Sequence, residues 1–291
     1  MAEMNPRAVT YGTVGLVVTG LICQELGAAL AVTVFPQVGA LGMVALRLFF
    51  SAVVLMLIFR PRLRGRSRDD WLIVVAFGLV LAIMNALFYS ALNYLPLGTT
   101  LTIEILGPLI LSVVISRRAS SWLWAVLAFG GVALLGRGGF DSLDPIGVAL
   151  AAGAGAMWVG YILLSARTGA RFERLDGLAI AMSVGAIVTL PVGIVTAGVA
   201  IVHPPVLLFG LAVALLSSAI PYGLELLALR RMPASTFSIL LSIAPALGAV
   251  TGWIILGQSL ELLDAAAIAL VVVASMGAVR AASRRTIEPL T

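Results

Sequence analysis

Four ionisable side chains stand inside long apolar stretches of this 291-residue chain: Glu25, Arg47, Glu104 and Glu225. Left unpaired at the centre of a bilayer, each would cost ~2.5 kcal/mol or more, so such residues are kept where they pair or face a polar cavity. Three acids against one base leave at least one carboxylate without a basic partner. A lone carboxylate in a low-dielectric site can hold a proton or an ammonium group, the chemistry of a proton relay or of a substrate-amine site. A plainer role is structural, with Glu25 or Glu104 ion-paired to Arg47.

Neutral polar residues share faces with these charges. Asn85, Tyr89 and Asn93 are four apart, and Ser218, Tyr222 and Glu225 follow one helical face beside Pro221. Thr100, Glu104, Gly107 and Pro108 lie on another face, and Trp158, Tyr161 and Ser165 on a further one. Serines such as Ser218, Ser238 and Ser242 can instead bond back to their own helix, whereas the hydroxyls of Tyr89 and Tyr222 need a partner and lean towards a cavity. The candidate substrate and proton pathway is therefore Glu25, Arg47, Asn85, Tyr89, Glu104, Tyr161, Ser218, Tyr222 and Glu225. No catalytic residue is expected: the chain has no His-Glu-x-x-His, Gly-x-Ser-x-Gly, Walker loop or Cys–His pair. With one histidine, His203, and one cysteine, Cys23, it offers no metal cluster and no internal disulfide, and no cofactor is expected.

The elements that carry these residues are set by composition. Hydrophobic residues make up 61% of the chain and charged residues 11%, which places it in an all-α integral membrane class. Apolar runs long enough to cross a bilayer fall at 10–31, 39–59, 71–93, 97–116, 121–137, 146–166, 176–198, 205–229, 234–256 and 262–281. The first is too long for a signal-peptide core and reads as a retained span.

All eighteen basic residues are arginine. With the N-terminus inside, Arg7, the Arg60–Arg68 run, Arg117, Arg118, Arg167, Arg171, Arg174, Arg230, Arg231, Arg280, Arg284 and Arg285 fall on the inner side. Arg137 is left outside and Arg47 within a span. That asymmetry predicts ten transmembrane helices with N- and C-termini cytoplasmic. Trp71, Trp122 and Trp124 then sit beside inner loops as interfacial anchors. The arginines read as topology signals in contact with membrane lipid, and no nucleic acid partner is expected. Gly136-Arg137-Gly138-Gly139 lacks the strand–loop–helix context of a phosphate loop and reads as a hinge.

Pro96 and Pro108 recur as Pro233 and Pro245, each 137 residues on. The same offset lays Asn85 on Tyr222 and Gln24 on Tyr161, placing polar residues at matching depths around one shared central cavity. Residues 10–137 and 146–284 then form two five-helix halves. Because five is odd, the second enters from the opposite face, giving an inverted repeat whose binding site lies near the midplane.

In these residues the chain resembles the EamA branch of the drug/metabolite transporter superfamily, and within it the threonine/homoserine exporters. The resemblance runs from about Gly20 to Gly277. It is carried by Phe35-Pro36, Ala45-Leu46-Arg47-Leu48, Pro96-Leu97-Gly98 with Glu104 and Gly107-Pro108, Gly153-Ala154-Gly155-Ala156 with Trp158 and Tyr161, Pro221-Tyr222 with Leu224-Glu225, Pro245-Ala246 and Ala274-Ser275-Met276-Gly277. It implies a secondary transporter in the bacterial inner membrane that exports small neutral amino acids, with proton antiport as a candidate coupling, and no enzyme activity. Two departures stand out: Ala244 and Gln258 occupy positions where those exporters carry glutamate, while Glu25 adds an acid where they have none. The alternatives are an EamA-type exporter of drugs or other metabolites, and a membrane sensor that binds a metabolite without moving it.

Overall fold

A computed structural model describes residues 6–116, 119–135, 143–229, 231–232 and 234–283. The Gly136–Gly139 segment and Arg117, Arg118, Arg137, Arg230, Pro233, Arg284 and Arg285 lie outside them, as does the side chain of Ser238. The described chain is built of helices: α1 (Pro6–Phe59), α2 (Arg68–Ala91), α3 (Leu97–Glu104), α4 (Leu106–Ser116), α5 (Ala119–Leu135), α6 (Pro145–Arg171), α7 (Asp176–Ala197), α8 (Pro204–Ala214), α9 (Ile220–Leu229), α10 (Ala234–Leu241), α11 (Ala244–Leu256) and α12 (Leu262–Ser283). Seven helical stretches among the described residues are long and apolar enough to span a bilayer, and Leu97–Leu111 and Trp122–Leu135 are shorter apolar helices.

Each break within an expected span stands beside a proline or a glycine, although Pro191 is held inside the unbroken α7. The sequence places two helices between residues 10 and 59, and the structure joins them in one run interrupted at Gly39, whose φ of 68° and ψ of 171° are not helical. Pro36, one turn earlier, removes an intrahelical hydrogen bond, and glycine alone adopts that backbone without strain. The run expected at 97–116 is likewise divided, α3 closing at Glu104 and α4 starting at Leu106. Glu104 therefore ends a short helix instead of sitting mid-helix. Pro108 has no N–H to offer the Glu104 carbonyl four residues back, and its ring crowds that carbonyl. The same chemistry divides the 234–256 run before Pro245, with α10 ending at Leu241. In the 205–229 run, α8 and α9 are separated by a π-helical segment, Leu215–Ala219, just before Pro221.

Other ends are fixed by polar caps. Ser67 and Asp70 form a reciprocal capping box at the start of α2. Asp144 accepts from Ile146 N and Gly147 N at the start of α6, where Pro145 fits the first helical position. Gly257 closes α11 in the left-handed conformation, φ 63°.

Packing brings distant parts of the chain together. The second arm of α1 lies along α7, where a Cβ on Gly193 would meet the side chain of Ala45. The first arm lies along α9, with Gly20 near Leu224. Helix α2 packs on α6 and α7, α3 on α11, and α5 on α12. The largest buried cluster, around Met43, Leu48, Phe77, Leu81, Tyr89 and Met182, joins α1, α2 and α7.

Candidate functional site

The charged residues converge although they come from separate helices. Arg47 projects from the second arm of α1, Glu25 from the first arm, and Glu104 from the broken end of α3. Glu25 and Glu104 are buried, 1% and 5% exposed. Glu25 lies against α11, where a Cβ on Gly248 would stand 3.3 Å from its Oε2 and would also meet Leu101 of α3, the helix that ends at Glu104.

The ion pair expected between Arg47 and one of these glutamates is not formed. Among the described residues Arg171 pairs with Asp70, at 3.1 Å, while both carboxylate oxygens of Glu25 lack a hydrogen-bond partner. Arg47 has neutral partners instead. Its Nη1 donates to the Tyr89 hydroxyl at 3.0 Å, with the guanidinium 5.3 Å from the centre of the same ring. Its Nη2 donates to the Ser217 backbone carbonyl at 3.2 Å.

That second acceptor has a local cause. The carbonyl of Ser217 would ordinarily receive the N–H of residue 221, which is proline and has none. A guanidinium from α1 fills the position 170 residues away in sequence. Ser217 was not a sequence candidate. The signal was present in Pro221 four residues later, but it points to a backbone atom that side-chain reasoning overlooks.

Tyr161, Tyr222 and Glu225 form a second group. They line a cavity of about 160 Å³ together with Phe77, Ser165 and Thr168. The Tyr161 hydroxyl interacts with Tyr222 and Ser165, and the Tyr161 ring lies 5.5 Å from that of Phe77. Glu25, Arg47, Tyr89 and Glu104 do not line this cavity. The residues expected around one cavity are thus divided between a close-packed charged cluster and an open polar pocket.

At the rim of that pocket are Phe172 and Arg174. Arg66 stacks over Phe172, its guanidinium 4.6 Å from the ring centre, and Arg171 pairs with Asp70. These contacts tie the 60–70 connection to the 171–175 connection.

The two remaining candidates are less available. Asn85 is buried and spends its amide N–H on the Leu81 carbonyl, 2.8 Å away on its own helix. Ser218 is fully buried with its hydroxyl unpartnered. Gln258, singled out as replacing an acid, accepts from Leu97 N at 3.1 Å. It thereby caps the start of α3 from the end of α11. A larger cavity of about 380 Å³ lies beside it, lined by Tyr94, Pro96, Thr99, Glu261 and Asp264 among others.

Comparison with known proteins places this arrangement. Residues 145–280 match the EamA-like transporter family. The threonine/homoserine exporter RhtA of Salmonella typhimurium (strain LT2) is 42% identical over 87% of this chain and 86% of its own length. That of Escherichia coli (strain K12) is 41% identical over 86% and 85%. The chain belongs to the EamA-like transporter family. The uncharacterised transporter YvbV of Bacillus subtilis (strain 168) is 29% identical over half of each chain. A crystal structure 22% identical to this protein, covering 94% of this chain and 99% of that one with a TM-score of 0.63, shares its fold. This EamA protein is therefore a multi-pass inner-membrane transporter acting on a small-molecule substrate, and its relatives are transporters and not enzymes.

Proposed function

We propose that this EamA transporter exports small neutral amino acids of the threonine or homoserine kind from the cytoplasm, in exchange for protons. The observation that carries the substrate class is the 42% identity over 87% of the chain to a protein named as a threonine/homoserine exporter. An amino acid presents an ammonium and a carboxylate, and this chain holds carboxyls and a guanidinium among its helices to answer both. Glu104 or Glu225 carries the proton exchange: each can bind the substrate ammonium or a proton, and binding one disfavours the other.

The architecture that goes with this reading is ten crossings in two inverted five-helix repeats, 10–137 and 146–284, with both termini cytoplasmic. Support comes from the pattern of contacts. Exchanging the halves turns the α2–α6 contact into the contact between α9 and the first arm of α1, and leaves the α5–α12 and α7–second-arm contacts unchanged as types. Paired breaks at Ile105 and at Ser242-Ile243 fit the 137-residue offset. Two halves of that kind can rock about a shared site, which is what alternating access needs. Lipid contacts the apolar outer faces, such as Val126 and Ile187.

Glu→Gln keeps shape and removes titration, so Glu104→Gln and Glu225→Gln test the coupling in proteoliposomes. At least one is expected to export threonine with its dependence on a pH gradient abolished. Wild-type pH dependence in both would remove these acids from the coupling and leave Glu25 to carry it.

A further inference from the structure

Several buried polar atoms around Arg47 have no partner within the protein: the Arg47 Nε–H, both carboxylate oxygens of Glu25, and the hydroxyls of Ser51, Ser217 and Ser218. They sit on α1 and on the Leu215–Ala219 segment packed against it. Ser51 is one turn after Arg47 on the same helical face. Ser217 supplies the carbonyl that Arg47 holds, and Gly27, two residues after Glu25, lies directly against the Ser217 side chain. Each unfilled group is costly to bury: an unmade hydrogen bond to a charged group is among the most unfavourable features a core can carry. Opposite charges that lie near each other would ordinarily collapse into an ion pair. Here Glu25 and Arg47 form no ion pair, and both Glu25 carboxylate oxygens stay without a partner. Arg47 is restrained from closing by the Tyr89 hydroxyl and the Ser217 carbonyl, and α11 closes over Glu25, whose Oε2 lies 3.3 Å from where a Cβ on Gly248 would be.

From this we infer that Arg47 and Glu25 bracket the zwitterionic head of the transported amino acid, with the Arg47 Nε–H and the Glu25 carboxylate as the groups that meet its α-carboxylate and α-ammonium. A zwitterion fills both without changing the net charge of the cluster. An amine alone or an acid alone satisfies one end and leaves the other unfilled, so the pair selects for amino acids over either class. The serine hydroxyls supply partners for a short hydroxylated side chain. Tyr89 acts as a positioning residue, since it holds the guanidinium away from the acid. The assignment rests on the amino-acid export reading; it gives the substrate ammonium to Glu25 in place of Glu104 or Glu225 and leaves those two acids the proton.

The test is binding to the purified full-length protein in detergent, read by titration calorimetry with three probes: L-threonine, L-threoninamide, which lacks the carboxylate, and 3-hydroxybutyrate, which lacks the amine. Wild type is expected to prefer threonine to both. A hydrogen bond to a charged group corresponds to about ten- to a hundred-fold in affinity. Arg47→Gln should therefore weaken threonine by about ten-fold or more and leave threoninamide within about two-fold. Glu25→Gln should show the reciprocal pattern, weakening threonine while sparing 3-hydroxybutyrate. If Arg47→Gln does not fold, Glu25→Gln carries the test alone. Equal losses for all three probes, or no loss, would overturn the assignment. Threonine binding with these patterns but without flux in proteoliposomes would refute export and leave the site standing.

Discussion

Replacing Pro221 with alanine should separate stability from transport. In the native chain Pro221 withholds an N–H from the Ser217 carbonyl, and Arg47 Nη2 donates to that carbonyl at 3.2 Å. Alanine restores the N–H, lets the Leu215–Ala219 segment relax from π to α geometry, and fills the acceptor from within the helix. Two terms oppose each other. Proline in a helix interior costs ~3 kcal/mol, which alanine recovers. The lost hydrogen bond from a charged donor is worth about 1.5–3 kcal/mol. The balance lies between roughly zero and 1.5 kcal/mol in favour of the variant. Denaturation in detergent should show Pro221→Ala at least as stable as the native protein. Export should nevertheless fall about ten-fold or more, since Arg47 loses one of the two contacts that aim it. A variant that is more stable and transports normally would show that the Ser217 carbonyl has no part in positioning Arg47. Parallel loss of both would reduce Pro221 to a packing residue.

The remaining predictions concern packing, the pocket rim and topology. A Cβ on Gly155 would stand 2.5 Å from the Glu104 carbonyl oxygen, backbone that cannot retreat, so Gly155→Ala should destabilise by about 1–3 kcal/mol. Gly223→Ala, with nothing within 4 Å, should be neutral or slightly stabilising; equal effects in a denaturation assay would contradict the close approach. Asp70→Asn removes the exposed Arg171 pair and part of the Ser67 capping box. Its cost should be a small fall in the denaturation midpoint at low salt that shrinks in high salt as the pair is screened; a cost independent of salt would assign it all to the cap. Reporter fusions after Val38, Asn93, Asp141, His203 and Gln258 should all report the outer side. Asp141 lies outside the described residues, and cytoplasmic signals at two or more positions would undo the inverted repeat.

Much of the helical framework is legible in residue type. Apolar runs bounded by arginine loops become helices within a few residues of the expected ends, as with 71–93 against Arg68–Ala91. Ser67 and Asp70, spaced as a capping box, mark that start in the sequence itself. Breaks fall before Pro108, Pro221 and Pro245, whose missing N–H acts through local chemistry, whereas Pro191 stands inside the unbroken α7. The partner of Arg47 was not legible. Counting charges leads to a glutamate, whereas the guanidinium found a tyrosine hydroxyl and a carbonyl freed by proline, and neutral acceptors do not announce themselves in a charge tally. Asn85 illustrates the same limit: its face is correct for a cavity, but its amide turns back to Leu81. The role of Gln258 as a cap for α3 depends on a contact between residues 161 positions apart, which no local pattern encodes.

The most direct test is flux of radiolabelled L-threonine in proteoliposomes containing the purified protein, measured with and without an imposed pH gradient. Movement of threonine that is driven by a gradient bringing protons inward across the membrane, and that is abolished by excess unlabelled homoserine, is the expected result. No threonine flux above protein-free vesicles, or flux indifferent to the gradient, would contradict proton-coupled amino-acid export.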